Sequence, residues 1–444
     1  MNNQQKIFVF VVCGEKKHTQ ALHFSLARLK KYSGCEILIV TDSSRNEEPI
    51  QHEHIINIST PEQLDHHQAS IWLKTSLHRI LPQGPLYCYL DTDVVAVRPG
   101  VDRIFDQFVP PITFCTDHCR LKAFSPTAVH DERFDELLQK QTHQSDLYYR
   151  FKIEDEAQLK DAGAHIAHID DIKSTYHSRN LFHTQSLSGL FKKPKKFALA
   201  LLQKLIFQLL RLISQIIGGL KKQESGIILE KLHRYVFRAP LDFNLFAAEY
   251  GYRFDELQSK WYDLSGQFIF EENYIIRHIE AASSYCWDAA NKIWRDENGE
   301  NISQIESDKL HQRILEKFGL QITEPDWRHW NGGVFLFDAQ SNDFMEQWHQ
   351  WTSAIFSDPA WKTRDQGTLA ATAWHFGLQN HPTLPIEYNF IADYYHPDMA
   401  YLGNLQFRLK GIDKIIQPLF LHVYHHFGDE QWSVWKDVIN EMKN

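Results

Sequence analysis

The stretch GPLYCYLDTDVVAVRPG, residues 84–100, decides how the chain is read. An apolar run, Leu86 to Leu90, ends in two aspartates one residue apart, Asp91 and Asp93, and a second apolar run, Val94 to Val97, follows at once. A short apolar run bounded by turn residues reads as a buried strand. Two carboxylates at its tip repel each other unless a cation lies between them. Mg²⁺ and Mn²⁺ take oxygen ligands, commonly one or two protein carboxylates, with phosphate oxygens and water completing the shell. The pair therefore suggests a metal that holds a diphosphate. It equally fits a solvated turn, and the fragment by itself does not choose.

Outward from that stretch, the first 120 residues alternate. KIFVFVV (6–12), EILIVTD (36–42), HIINI (54–58), LYCYL (86–90) and ITFCT (112–116) read as strands. HTQALHFSLARLKKY (18–32) reads as a helix with Leu22, Leu26 and Leu29 on one face. A second helix is expected over 60–81, with Thr60 as N-cap, Pro61 at the first position and Gln63 completing a capping box. Strands alternating with helices predict a mostly parallel sheet covered on both faces, with ligands at the carboxyl ends of its strands. Asp42, Asp91 and Asp93 all fall at such ends. The alternation stops near residue 120 and returns with HWNGGVFLFD (329–338), followed by helices in 341–356 and 364–378, a loop over 381–395 and the strand-like PLFLHVYHHFG (418–428). The simplest organisation is one α/β domain, 1–120 with 326–444, split by a mainly helical insertion, 121–325.

The insertion has its own composition. Residues 172–223 contain no Asp or Glu, but carry Lys173, Arg179, Lys192, Lys193, Lys195, Lys196, Lys204, Arg211, Lys221 and Lys222. At the centre lies FALALLQKLIFQLLRLISQIIGGL (197–220), in which Lys204, Gln208, Arg211 and Gln215 form one narrow polar stripe. Its length allows a bilayer span. Lys204 and Arg211 would cost roughly 5–7 kcal/mol there, against a return of roughly 4–8 from its Leu, Ile and Phe residues. The glutamines and Ser214 tilt the balance against spanning. A helix lying in the interface of an anionic membrane, with the segment 190–222 as its contact, fits better. A core or oligomer-interface helix with solvated lysines is the plainer alternative.

Bulk properties narrow the class. A net charge of −9 over 444 residues argues against a dedicated nucleic-acid binder. The six cysteines make no C-x-x-C pair or visible disulfide framework. Cys115, His118 and Cys119 in FCTDHC suggest zinc only weakly, because no second ligand pair at a zinc spacing stands out. The apolar run in MNNQQKIFVFVVCGEKK is short for a signal peptide and lacks its basic start, so a reduced, cytoplasmic location is expected, peripheral at the inner face of the membrane if the insertion docks there.

Taken in order, VTD (40–42), YLDTD (89–93), NGGVFLFD (331–338), RDQGTLA (364–370), LPIEYN (384–389) and LFLHVYHHFG (419–428) resemble the motifs of the metal-dependent nucleotide-sugar glycosyltransferases of the GT-A fold, especially glycosyltransferase family 8. The resemblance covers residues 5–120 and 326–430. It implies a Rossmann-like mixed α/β sheet flanked by helices, and transfer of a hexose from a nucleoside-diphosphate sugar, expected to be UDP-linked, with retention of configuration. By the same resemblance Asp91 and Asp93 bind Mn²⁺ or Mg²⁺, with His422 as third ligand and His425 as runner-up. Asp42 sits beside the nucleobase, with Val12 to Gly14 against base and ribose. Lys74 faces the diphosphate, Asn331, Gly332 and Gly333 line the donor sugar, and Asp365 and Gln366 lie beside the anomeric carbon. The family follows its late histidine with glycine, lysine and Pro-Trp. This chain has Gly428 and Trp432 but acidic residues where the lysine belongs. The acceptor is left open between a saccharide, a lipid-linked group and a protein, and the basic insertion favours one near a membrane.

Two rival classes remain. A haloacid-dehalogenase-type phosphatase would use Asp91 as nucleophile and Asp93 as acid/base, but that class places its aspartates on the first strand. A catalytically inactive membrane-docking scaffold would explain the missing lysine.

Overall fold

The computed structural model describes residues 4–181, 194–218, 222–392, 399–423 and 425–443. The chain forms two compact units, Met1–Tyr149 with Ser284–Asn444, and Arg150–Ser283. The first unit opens with β1 (Lys6–Val12), α1 (Lys16–Tyr32), β2 (Glu36–Thr41), β3 (Ile55–Asn57), α2 (His66–Thr75), α3 (Leu77–Ile80), β4 (Leu86–Leu90), β5 (Val94–Ala96), β6 (Ile112–Thr116) and α4 (Leu121–Ala128). The boundary falls within α5 (Glu132–Asp161). The second unit holds α6 (Gly163–Arg179), α7 (Pro194–Gly218), α8 (Lys222–Phe237), α9 (Phe243–Ala248), the antiparallel strands β7 (Tyr252–Asp255), β8 (Lys260–Asp263) and β9 (Phe268–Glu271), and α10 (Tyr274–Ala282). The chain then re-enters the first unit with β10 (Cys286–Asp288), β11 (Ile293–Arg295), α11 (Lys309–Phe318), β12 (Trp330–Phe337), α12 (Asn342–Ile355), α13 (Asp365–His375), β13 (Phe390–Ile391), β14 (Met399–Tyr401), β15 (Phe407–Leu409), β16 (Phe420–His422) and α14 (Ser433–Lys443).

The first unit is built on a six-stranded mixed sheet in the order β3-β2-β1-β4-β12-β6. The first four strands run parallel, and β12 inserts antiparallel to both neighbours. The near-continuous apolar runs are explained by burial on both faces. In β1, Ile7, Val9 and Val11 enter one core with Leu73 of α2 and Trp348 of α12, while Phe8, Phe10 and Val12 enter the other with Leu22 and Leu26 of α1. Period two sends alternate side chains to opposite faces. A second, small sheet, β13-β16-β5, adjoins the carboxyl end of β4 through the DTD turn.

Two sequence expectations change. The second compact unit spans 150–283, whereas the break in strand–helix alternation put the insertion at 121–325. Leu121, Ala128, Leu310 and Ile314 all belong to the core of the first unit, so the chain on either side of the second unit packs with the α/β sheet. The helix expected from Thr60 starts instead at Asp65, which accepts from Gln68 N at 2.7 Å while Gln68 Oε1 accepts from Asp65 N at 3.2 Å. Both T-P-E-Q and D-H-H-Q have capping-box spacing. Thr60 is drawn off because its hydroxyl and amide both donate to Asp42.

Candidate metal centre

The DTD turn is pinned at three successive residues. Asp91 N donates to Gly333 O at 2.8 Å, Ser25 Oγ donates to the carbonyl of Thr92 at 2.7 Å, and Val423 N donates to that of Asp93 at 3.0 Å. β5 pairs antiparallel with β16 in a register that sets Val94 opposite His422. Asp93, one residue before Val94, is thereby brought against the His422 imidazole. Ligand atoms of Asp91, Asp93 and His422 all lie within 4.8 Å of one another. His425 is exposed and is not in this group.

The imidazole is oriented from behind. Asn389 Nδ2 donates to Asn331 Oδ1 at 2.8 Å, which leaves Asn389 Oδ1 to accept from His422 Nδ1 at 3.0 Å. The ring therefore turns Nε2 toward Asp93 Oδ1, 3.5 Å away. A hydrogen bond at one ring nitrogen commonly fixes the other as a metal ligand in this way. Asp93 Oδ1 is buried without a hydrogen-bond partner. Burial pushes its carboxyl up, His422 opposes this and Asp91 adds to it. An orphaned carboxylate oxygen, a second carboxylate and an oriented imidazole nitrogen fit a divalent cation.

Lys74, on α2, supplies the positive charge beside this group. Its Nζ lies 2.9 Å from Asp365 Oδ2, 3.4 Å from Asp91 Oδ1 and 5.1 Å from the centre of the Tyr89 ring. Burial alone would lower its pKa, but Asp365 and Asp91 override that and hold the ammonium above its ordinary range. Tyr89, on β4, donates to Asp91 Oδ1 at 2.5 Å. Asp365 is the first residue of α13, where the helix dipole favours a carboxylate.

Between Asn331 and Phe335 the β12–β6 register shifts, so Gly332 and Gly333 bulge toward the carboxylates. A Cβ at Gly332 would lie 3.3 Å from Lys74 Nζ, and one at Gly333 would lie 2.8 Å from His422 Nδ1. Asn331 and Gln366 meet at a residue the sequence reading did not single out. Asp117 Oδ2 accepts from Asn331 Nδ2 at 2.9 Å and from Gln366 Nε2 at 2.8 Å. Burial opposes its charge, but His329, His118 and Asn331 hold the Asp117 carboxyl well below the usual range. Asp117 also joins His118 and Cys119 in a second group of close ligand atoms. The zinc set considered from sequence had Cys115 in that place. Cys115 lies on β6 and enters the opposite core with Leu336 and Leu384. The only signal for Asp117 was its position just after the strand ITFCT.

Val12 ends β1 beside Thr41 at the end of β2, and Gly14 follows in the turn to α1. Gly14 adopts φ +104°, and a Cβ there would come within 2.9 Å of His66 Cβ, so a side chain is excluded twice over. Asp42, at the end of β2, has both oxygens engaged. Oδ1 accepts from Ser44 Oγ at 2.6 Å and Ser44 N at 3.2 Å, and Oδ2 accepts from Thr60 Oγ1 at 2.7 Å and Thr60 N at 2.8 Å. Burial alone would raise its pKa, but the Ser44 and Thr60 hydrogen bonds reverse this and bring it to about 2. Asp42 thus clamps the loop after β2 to the segment before α2. Its contribution is complete above the ordinary pKa near 3.8 and is lost as pH falls toward 2. Urea unfolding of Asp42→Ala is expected to show a loss of about 2 kcal/mol at neutral pH that shrinks below pH about 4. A loss that stays constant down to pH about 2 would contradict the clamp.

No family model matches the chain, and neither does any curated protein.

Proposed function

We propose that the chain is a metal-dependent glycosyltransferase of GT-A type that moves a hexose from a nucleoside-diphosphate sugar, with UDP the expected nucleotide, to a saccharide, lipid-linked or protein acceptor. The observation that carries this reading is the convergence of Asp91, Asp93 and His422 at the carboxyl end of a mixed α/β sheet, with Lys74 and Asp365 beside them. Asp91, Asp93 and His422 would hold Mn²⁺ or Mg²⁺. When bound, the metal neutralises diphosphate charge as a Lewis acid.

The remaining work falls to the protein. Cleavage of the donor leaves negative charge on the departing diphosphate, and Lys74, kept charged by two carboxylates, offsets it. Lys74 also stands in for the lysine that the C-terminal segment lacks. Asp117 fixes the amides of Asn331 and Gln366, which would grip sugar hydroxyls. Gly332 and Gly333 leave the room that a sugar needs against the backbone. Asp42 acts on the nucleobase through the loop it clamps, since its own lone pairs are occupied. Retention of configuration rests on the resemblance alone.

The test is calorimetry of the full chain with UDP, with and without Mn²⁺, followed by hydrolysis assays on UDP-glucose, UDP-galactose, UDP-GlcNAc and GDP-mannose. Mn²⁺-dependent UDP binding and turnover of one donor are expected. Failure to bind UDP with Mn²⁺ would leave the inactive-scaffold reading. Release of phosphate from p-nitrophenyl phosphate without sugar transfer would replace the proposal with a phosphatase.

A further inference from the structure

α7 (Pro194–Gly218) packs with its less apolar face inward. Ala200, Gln203, Leu210 and Ser214 are buried, and Gln203 Nε2 donates to Ser178 O at 3.2 Å. Leu201, Leu202, Leu205, Leu209, Leu212 and Ile216 are exposed, and at 3.6 residues per turn they fall within an arc of about 100°. Eight of the twenty-three exposed large hydrophobic side chains among the described residues lie on this one helix. The most apolar 18-residue stretch within Lys195–Ile217 has a mean hydropathy of 1.6, and only 22 % of it is buried. A contiguous apolar strip of this size on a protein surface marks a docking site.

The charge around the strip names the occupant. Lys204, Gln208, Arg211 and Gln215 form an exposed stripe along one edge of the apolar arc. Lys195, Lys196, Lys204 and Arg211 are exposed and make no ion pair with a described residue. Residues 172–223 contain no acidic residue in a chain of net charge −9, so the positive charge is local. Lys192, Lys193 and Lys221 of that run lie outside the described residues.

We infer that this face of α7 docks on an anionic phospholipid surface, with the leucine arc in the acyl boundary and the Lys204–Arg211 stripe at the headgroups. Such helices bury their apolar face about 5–10 Å deep and gain about fivefold in affinity per basic residue near the surface. An antiparallel two-fold contact with a second copy would set the two cationic stripes along the same side, where they repel. Spanning would carry Lys204 and Arg211 to mid-bilayer, and with them α8, which packs along α7 and bears Glu230, Lys231 and Arg234. The inference is independent of the transferase reading, because vesicle binding and donor hydrolysis are separate readouts.

The test is co-sedimentation of the full chain with phosphatidylcholine vesicles, with and without phosphatidylglycerol. Binding is expected only to the anionic vesicles, weakening as salt rises. Leu205→Ser with Leu209→Ser removes two exposed side chains and should weaken binding about 30-fold or more with an unchanged circular dichroism spectrum. Lys204→Gln with Arg211→Gln should weaken it about 30-fold. Equal binding by all forms, or equal binding to both vesicle types, overturns the inference. So does a concentration-dependent dimer that the Leu205→Ser, Leu209→Ser variant dissociates, without vesicle binding by the parent.

Discussion

Asp93→Ala is expected to remove Mn²⁺-dependent donor hydrolysis and transfer, by at least about 10³-fold, while leaving the protein as stable as before or more so. Both halves follow from one oxygen. Asp93 Oδ1 is buried, lacks a hydrogen-bond partner and lies 3.5 Å from His422 Nε2. Burial raises its pKa, so the charged form costs folding energy in the absence of a cation. Removing a carboxylate with one buried oxygen that makes no hydrogen bond removes that cost. Removing one of three protein ligands also removes the cation that offsets diphosphate charge. A carboxylate kept for stability would behave the other way, as Asp42 is expected to, because all its lone pairs are engaged. The measurements are Mn²⁺ titration by calorimetry, donor hydrolysis, and urea unfolding in chelator. Full activity in the variant refutes the metal assignment, and a stability loss of several kcal/mol would point to a structural role instead.

Gly333→Ala should cost about 10²-fold in Mn²⁺ affinity. The added methyl would stand 2.8 Å from His422 Nδ1, closer still to Cε1, and 3.0 Å from Asn331 Oδ1. His422 cannot move away freely, because Asn389 holds Nδ1 and β16 is tied to both β5 and β13. Gly333 is itself tied by its amide to Asn331 Oδ1 and by its carbonyl to Asp91 N. The methyl therefore displaces a ligand or its support. Gly332→Ala is the control. There the nearest atom is Lys74 Nζ at 3.3 Å, the mobile end of a long side chain, so the change should weaken donor binding more than metal binding. Equal effects of the two substitutions on Mn²⁺ affinity would count against this geometry.

Part of the site was legible one residue at a time. Asp91 and Asp93 end a run that could only be a buried strand, and the two glycines after Asn331 mark a place where backbone must come close to something. Asp117 and the engagement of Asp42 were not legible. Asp117 looks like any aspartate after a strand until Asn331 and Gln366, 214 and 249 positions away, are brought to it. Thr60 looks like a helix cap until Asp42 takes its hydroxyl. At Thr60 a hydrogen bond from a distant residue overrode a local capping preference, and at Asp117 distant partners joined a local turn bond to Cys119 N.

The amino-acid sequence by itself determined the strands of the six-stranded sheet, because a two-sided core demands unbroken apolar runs and those are local. It also determined the amphipathic character of α7, since helical period and side-chain polarity need no partner. Only the tertiary structure decided which face of α7 is covered, and that His422, rather than His425, meets the two aspartates. That choice depends on the register of β5 against β16 and on the bulge in β12. Register is a property of two strands more than three hundred residues apart, 94–96 and 420–422. It is set by which faces of the two strands the assembled core buries.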